Sequence, residues 1–186
     1  IKFLEKFCDE QLGKTVVICN DSPGFLGNRV GVYAMQVAMT EAFNLGLTVE
    51  EADAIFGRPM GIPKTGVFGL YDLIGIDLMA DVLNSFVKEL PLSDPFHEVG
   101  QELPLIKKLI EDGYTGRKGK GGFFRINKEN NQKMLESLNY YNHSYHESKK
   151  IDLSLPDLMD VDHLLNRGDI YSQYAWNIIK KTILYA

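Results

Sequence analysis

The sequence predicts an all-α protein, a helical bundle with minor extended segments. Two observations carry that expectation. Nearly every periodic stretch repeats its apolar residues at intervals of three and four, the spacing of one helix face. Only residues 14–19 and 123–126 read as extended, against a series of helical runs spread over 186 residues. A composition that is 45% hydrophobic and 24% charged supplies enough apolar surface for one good core.

The elements follow in order. Residues 1–13 read as a helix with Phe3, Leu4 and Phe7 on one side and Gly13 as its stop. "KTVVIC", 14–19, is β-branched and predicts a short strand. Asp21 or Ser22 caps the next helix, with Pro23 at its first position, where the missing N–H costs nothing. That helix runs to Leu45 and stops at Gly46, and its apolar positions cover more than half the circumference, so it is expected to be buried on several sides. Thr48 and Glu51 stand in capping-box spacing before a short helix that ends at Gly57. Residues 58–69 hold two prolines and three glycines and predict a loop. Residues 70–90 return to the helical period with a break at Gly75 and a cap at Asp77, and 102–113 form another helix. "YTGRKGKGGFFRI" is a glycine-rich turn leading into an extended piece. Beyond it, "NKENNQKMLESLNYYNHSYHESKK" is polar and amide-rich and predicts a surface segment or linker. Residues 151–186 regain helical patterning with too little apolar surface to stand alone, so they should pack on the preceding domain or begin a second one.

The bulk numbers exclude several functions. A formal charge of −5 gives no electrostatic reason to expect a nucleic-acid partner. Cys8 and Cys19 lack CxxC spacing and a secretory context, so both are expected to be buried free thiols. No apolar run approaches the roughly 20 residues of a bilayer span, and a cytoplasmic protein without membrane contact is expected. His143 and His146 stand at i, i+3 without a convincing third ligand, so no metal site is expected. The chain opens at Ile1 directly in an amphipathic pattern and stops in a helical one with no capping glycine after it, which predicts a piece of a longer polypeptide.

One stretch is anomalous for a plain core helix. "NDSPGFLGNRVGVYAMQVAMTEAFNLG", 20–46, opens with Gly24, Gly27 and Gly31 at intervals of three and four, and each costs about 1 kcal/mol of helix propensity relative to alanine. A row of glycines on one face lets another backbone or a ligand come close. Asn28 projects from the first turns, where the positive end of the helix dipole favours acceptor-rich or anionic groups. The alternative is tight helix packing, with Asn28 and Arg29 bonded to a neighbouring loop.

These residues resemble a known family. Asp21-Ser22-Pro23-Gly24-Phe25, Asn28-Arg29, Arg58-Pro59-Met60-Gly61 and Asp72-Leu73-Ile74-Gly75-Ile76-Asp77 stand in the order of the motifs D-T-P-G-F-x-x-N-R, G-x-P-M-G-P and D-x-x-G-x-D, and "GYTGRKGKGGFF" is similar to the turn that closes them. That pattern belongs to the C-terminal domain of 3-hydroxyacyl-CoA dehydrogenases, and the resemblance spans residues 14–126. It implies a helical bundle of the type found in the C-terminal domain of 6-phosphogluconate dehydrogenase, covering 20–126. Residues 1–19 would close a preceding nucleotide-binding domain or connect to it, 127–150 would be the linker, and 151–186 would begin a partial second helical repeat, since "DIYSQYAWNIIKKTILYA" resembles the segment that follows this domain in long multifunctional bacterial fatty-oxidation proteins.

The same resemblance implies a substrate-binding and dimerisation domain that works with its own upstream Rossmann domain, which binds NAD and carries most of the chemistry. The partners implied are an acyl-CoA substrate and a second copy in a homodimer. Asn28 would be the catalytic contributor, its amide donating to developing negative charge at the substrate carbonyl while staying neutral. Gly24, Gly27, Met60, Gly61, Phe68 and Leu70 are the substrate-binding candidates, and Lys64, Arg117, Lys118 and Lys120 are candidates for CoA phosphates. No G-x-G-x-x-G follows a strand, so no NAD is expected in this chain, which alone should be inactive. The loop reads Gly61-Ile62-Pro63 where the family has proline directly after P-M-G. A 3-hydroxybutyryl-CoA dehydrogenase domain and a non-catalytic dimerisation or scaffold module are the alternatives.

Overall fold

The computed structural model describes residues 1–101, 103–127, 133–155 and 160–186. Helix α1 (Lys2–Leu12) forms as its pattern predicts, and Gly13 turns left-handed to end it. The expected strand at 14–19 does not form: the stretch is exposed and has no strand partner among the described residues. β propensity reports a fit to a pleated surface, and none is offered to this segment. Cys19 in this stretch is exposed and Cys8, in a helix that buries none of its residues, is half-buried, against the expectation that both are buried.

The long helix starts later than Pro23. Gly24 (φ 75) and Phe25 (φ 49) both take the left-handed conformation, which cannot continue a right-handed helix. Ser22 O accepts from Phe25 N at 3.0 Å in a turn, neither Asp21 nor Ser22 caps, and α2 runs Gly27–Leu45. It ends as expected, with Gly46 left-handed and its N–H on the carbonyls of Ala42 and Phe43. α2 is the axis of the core: Val37, Ala38, Met39 and Ala42 are sealed from solvent.

Helix α3 (Val49–Ile55) carries the complete Thr48/Glu51 capping box. The predicted loop is shorter than 58–69, because a 3₁₀ turn occupies Arg58–Met60 and α4 (Gly66–Ile74) begins inside it. Helix α5 (Ile76–Glu89) follows the break at Gly75, with Asp77 in its first turn. Then come α6 (Phe96–Val99) and α7 (Pro104–Glu111).

The described part of 127–150 is not a plain linker. Strands β1 (Phe124–Asn127), β2 (Met134–Asn139) and β3 (Ser144–Glu147) form an antiparallel sheet in the order β1-β2-β3. Phe124 faces Ser137 across the first pair, and Ser137 faces His146 across the second. The segment's polarity misleads because its polar groups are partnered inside the fold. Arg125 Nε donates to Glu136 Oε2 at 2.6 Å, Ser137 Oγ to Glu50 Oε1 at 2.5 Å, and Tyr145 Oη to the Gly122 carbonyl at 2.6 Å. Leu138 is buried, and Tyr140 donates to the Leu47 carbonyl. The class remains mostly helical with one small sheet.

Helices α8 (Val161–Leu165) and α9 (Ile170–Tyr185) complete the chain. α9 lies antiparallel along α2, Tyr174, Ala175 and Ile178 being buried, so the tail packs on the preceding domain. Among the described residues no helix is long and apolar enough to cross a membrane.

Candidate functional site

The anomalous stretch builds a local surface at the start of α2. Gly24 is required by its left-handed backbone, and also by space, since a Cβ there would overlap the Phe86 ring. It therefore sits in a turn against α5 and does not share a helix face with Gly27 and Gly31. Those two line α2 with open space around them, so a neighbouring backbone or ligand can come close there. Asn28, the second residue of α2, is exposed, and among the described residues its side chain makes no hydrogen bond. A free amide thus stands at the positive end of a 19-residue helix. The loop bonding weighed as its alternative role is absent among those residues.

Arg29 is the opposite case. Its Nε donates to Tyr185 Oη at 3.0 Å and its terminal nitrogen to the Asp94 carboxylate, so it is committed to structure. Among the described residues no hydrogen bond joins Asn28 to Met60, Gly61, Phe68 or Leu70. Phe68 is fully buried between Phe43 and Phe123, with centroids at 5.9 and 4.6 Å, so it is core packing and offers no surface to a ligand. Leu70 and Met60 are half-buried against the same core, and Gly61 is exposed at the end of the 3₁₀ turn.

Two carboxylates that sequence reasoning passed over organise the remaining motifs. Asp53 accepts from Phe68 N at 2.7 Å and Gly69 N at 2.8 Å, holding the first turn of α4. Asp72, the first aspartate of D-x-x-G-x-D, accepts from Phe123 N at 2.9 Å and Phe124 N at 2.7 Å. Burial pushes Asp53 up to about 8 and Asp72 up to about 6, against the pull of those backbone donors. A pairing 51 residues apart leaves no local signal.

The glycine-rich turn is explained by the same group. Gly122 lies so close to Asp72 that a Cβ would overlap the carboxylate, and Gly116 is as close to the Asp72 carbonyl. These glycines admit protein, not a pyrophosphate, so this turn does not fit a dinucleotide. Of the candidate phosphate ligands, Lys118 pairs with Asp77 at 2.7 Å and Lys120 donates to the Asp112 carbonyl at 2.8 Å, while Lys64 and Arg117 are exposed.

The histidines are spread over separate places. His97 lies in α6 with Nε2 3.0 Å from the Pro91 carbonyl, His146 meets Glu50 at 3.2 Å, His163 meets Asp160 at 2.7 Å, and His143 turns the β2–β3 hairpin. No group of three or more His, Cys, Asp or Glu that could hold a metal occurs among the described residues.

A family model described as the C-terminal domain of 3-hydroxyacyl-CoA dehydrogenase matches residues 24–126. The chain belongs to that family. The match opens at Gly24, takes in Asn28, and closes on β1 after the turn round Asp72. A putative fatty acid oxidation complex trifunctional enzyme of Rickettsia prowazekii is 38% identical over 185 residues, covering 100% of this chain and 25% of that protein. A probable 3-hydroxyacyl-CoA dehydrogenase of Bacillus subtilis is 28% identical over 194 residues, covering 100% of this chain and 24% of that protein. One of Deinococcus radiodurans is 32% identical over 129 residues, 69% of this chain and 36% of its own length. The chain therefore spans about a quarter of the length of the first two relatives. The likeness to both extends past the family segment, through the sheet and α9.

Proposed function

We propose that this chain is the substrate-binding and dimerisation domain of an NAD-dependent (3S)-3-hydroxyacyl-CoA dehydrogenase of fatty-acid β-oxidation, acting in the cytoplasm as a homodimer. The observation that carries the reading is the exposed, unpartnered Asn28 amide at the start of α2, inside the family segment. An acyl-CoA carbonyl placed against it would accept its N–H as negative charge develops, and a neutral donor serves that without titrating. Gly27 and Gly31 leave room for the acyl-CoA chain or for the partner domain.

NAD is assigned to an upstream Rossmann domain of the same polypeptide, because the glycine-rich turn here is filled by Asp72. This chain alone is expected to be inactive. The test is Asn28→Ala in a polypeptide that carries the nucleotide-binding domain, with kcat and KM for 3-hydroxyacyl-CoA oxidation measured separately. A fall in kcat of about ten-fold or more, roughly 1.4 kcal/mol in the transition state, supports the reading. If both constants stay within about two-fold, Asn28 has no part in the chemistry.

A further inference from the structure

We propose that α9 is a strut that fixes the Asn28 segment, with Tyr185 as its positioning residue; this rests on the reading of Asn28 as the substrate-facing amide. The start of α2 has little to hold it in place by itself. Leu26 stands at the cap position with no side-chain cap bond, Gly24 and Phe25 are left-handed, and Gly27 and Gly31 face open space. A first turn so built frays unless something outside it is attached.

The attachment is Arg29, the residue next to Asn28. Its guanidinium is gripped from two sides, by Tyr185 Oη from the last turn of α9 and by the Asp94 carboxylate from the loop before α6. Asp94 is itself fixed, since its Oδ1 accepts from Phe96 N at 2.9 Å. The Tyr185 ring stacks on Tyr33, one turn beyond Arg29, with centroids 3.8 Å apart and planes 7° from parallel. α9 is in turn tied to the other end of α2, where Asn177 and Lys181 both bond the buried Glu41 carboxylate at 2.6 and 2.7 Å. The tail thus spans α2 and clamps the turn that presents Asn28. Tyr185 lies outside the segment 24–126 that the family model covers, so in this protein the tail adds a constraint to the site.

A group displaced by about 1 Å can lose two orders of magnitude in rate, so a loosened first turn should be felt at Asn28. The experiment is a double-mutant cycle in the polypeptide with its nucleotide-binding domain, comparing Tyr185→Ala, Tyr185→Phe and Asn28→Ala alone and combined. Tyr185→Phe keeps the ring on Tyr33 and loses only the hydroxyl. We expect kcat to fall by about five- to twenty-fold in Tyr185→Ala and by about three- to five-fold in Tyr185→Phe, which gives up the bond to Arg29, with KM within about two-fold in both. In the Asn28→Ala background Tyr185→Ala should then lower kcat no further. An equal fall in both backgrounds overturns the strut, as does an unchanged kcat in Tyr185→Ala beside a lowered one in Asn28→Ala. If Tyr185→Ala does not fold, the same cycle run with Tyr185→Phe decides, and its losses adding fully to those of Asn28→Ala would overturn the strut. An unchanged kcat in Asn28→Ala removes the reading beneath it.

Discussion

Helices α1 and α9 have the same look in the sequence and opposite fates in the structure. Both carry apolar residues at the helical period and both flank the family segment. α1 buries none of its residues; Phe3 and Phe7 stack on each other at 6.4 Å and remain exposed. α9 buries Ser172, Tyr174, Ala175 and Ile178 and fastens to α2 by Glu41, Tyr33 and Arg29. The difference teaches that an apolar stripe states that a face wants burial, while polar partners state against what. The sheet sides with α9, since β2 and β3 dock on α3 through one carboxylate, Glu50, that accepts from Ser137 and meets His146.

The contrast can be broken at four points, from the largest effect to the smallest. Tyr174→Ala in α9 removes a fully buried ring and should cost roughly 3–5 kcal/mol in urea unfolding, as core aromatics do. A loss below about 1 kcal/mol would mean that α9 rests only loosely on α2. Glu41→Ala strips two donors of their acceptor; with Lys181 half-exposed and partly screened, about 2 kcal/mol is expected. Hydrogen exchange should then quicken across α9 and leave α4 unchanged, and uniform quickening would deny the local tie.

Ser137→Ala should cost about 1 kcal/mol, because Glu50 keeps His146 and the Lys149 N–H. This site also sets an acid limit. Burial pushes Glu50 up, but the Ser137 hydroxyl, backbone N–H groups and His146 outweigh it and hold the carboxyl below its ordinary value of 4.5. A depressed carboxyl contributes stability above 4.5 and loses it as pH falls through the lower folded value. Acid unfolding followed by circular dichroism should therefore begin at higher pH in Ser137→Ala; an unshifted acid limb would show that the hairpin is held elsewhere. Phe7→Ala, in exposed α1, should change stability by no more than about 0.5 kcal/mol. A cost equal to that of Tyr174→Ala would erase the contrast between the helices.

The sequence was most legible where the determinant is local. Gly13, Gly46, the Thr48/Glu51 box and the break at Gly75 are set by residues within one turn of the boundary, and each falls where the pattern places it. It misled where a neighbour far along the chain decides. Residues 14–19 have strand composition and, among the described residues, no strand to pair with, while 134–147 have linker composition and a sheet, because Glu50 accepts from Ser137 and the Tyr114 ring stacks on Tyr145, partners that local polarity does not reveal. At the candidate site, the position at the start of the helix and the motif order together singled out Asn28, and its glycine row was half right. Gly27 and Gly31 share the open face, whereas Gly24 was claimed by Phe86.

By itself the sequence determined the helical class, most helix ends and the family motifs, since periodicity, caps and glycine punctuation act within a turn or two of chain. Only the tertiary structure decided that Phe68 is core, that Asp53 and Asp72 bind the motifs together, and that Tyr185 reaches Arg29 across 156 positions. Such pairings depend on how whole elements close on one another, and an ion or an aromatic ring gives no sign in its own neighbourhood of the distant group that will meet it.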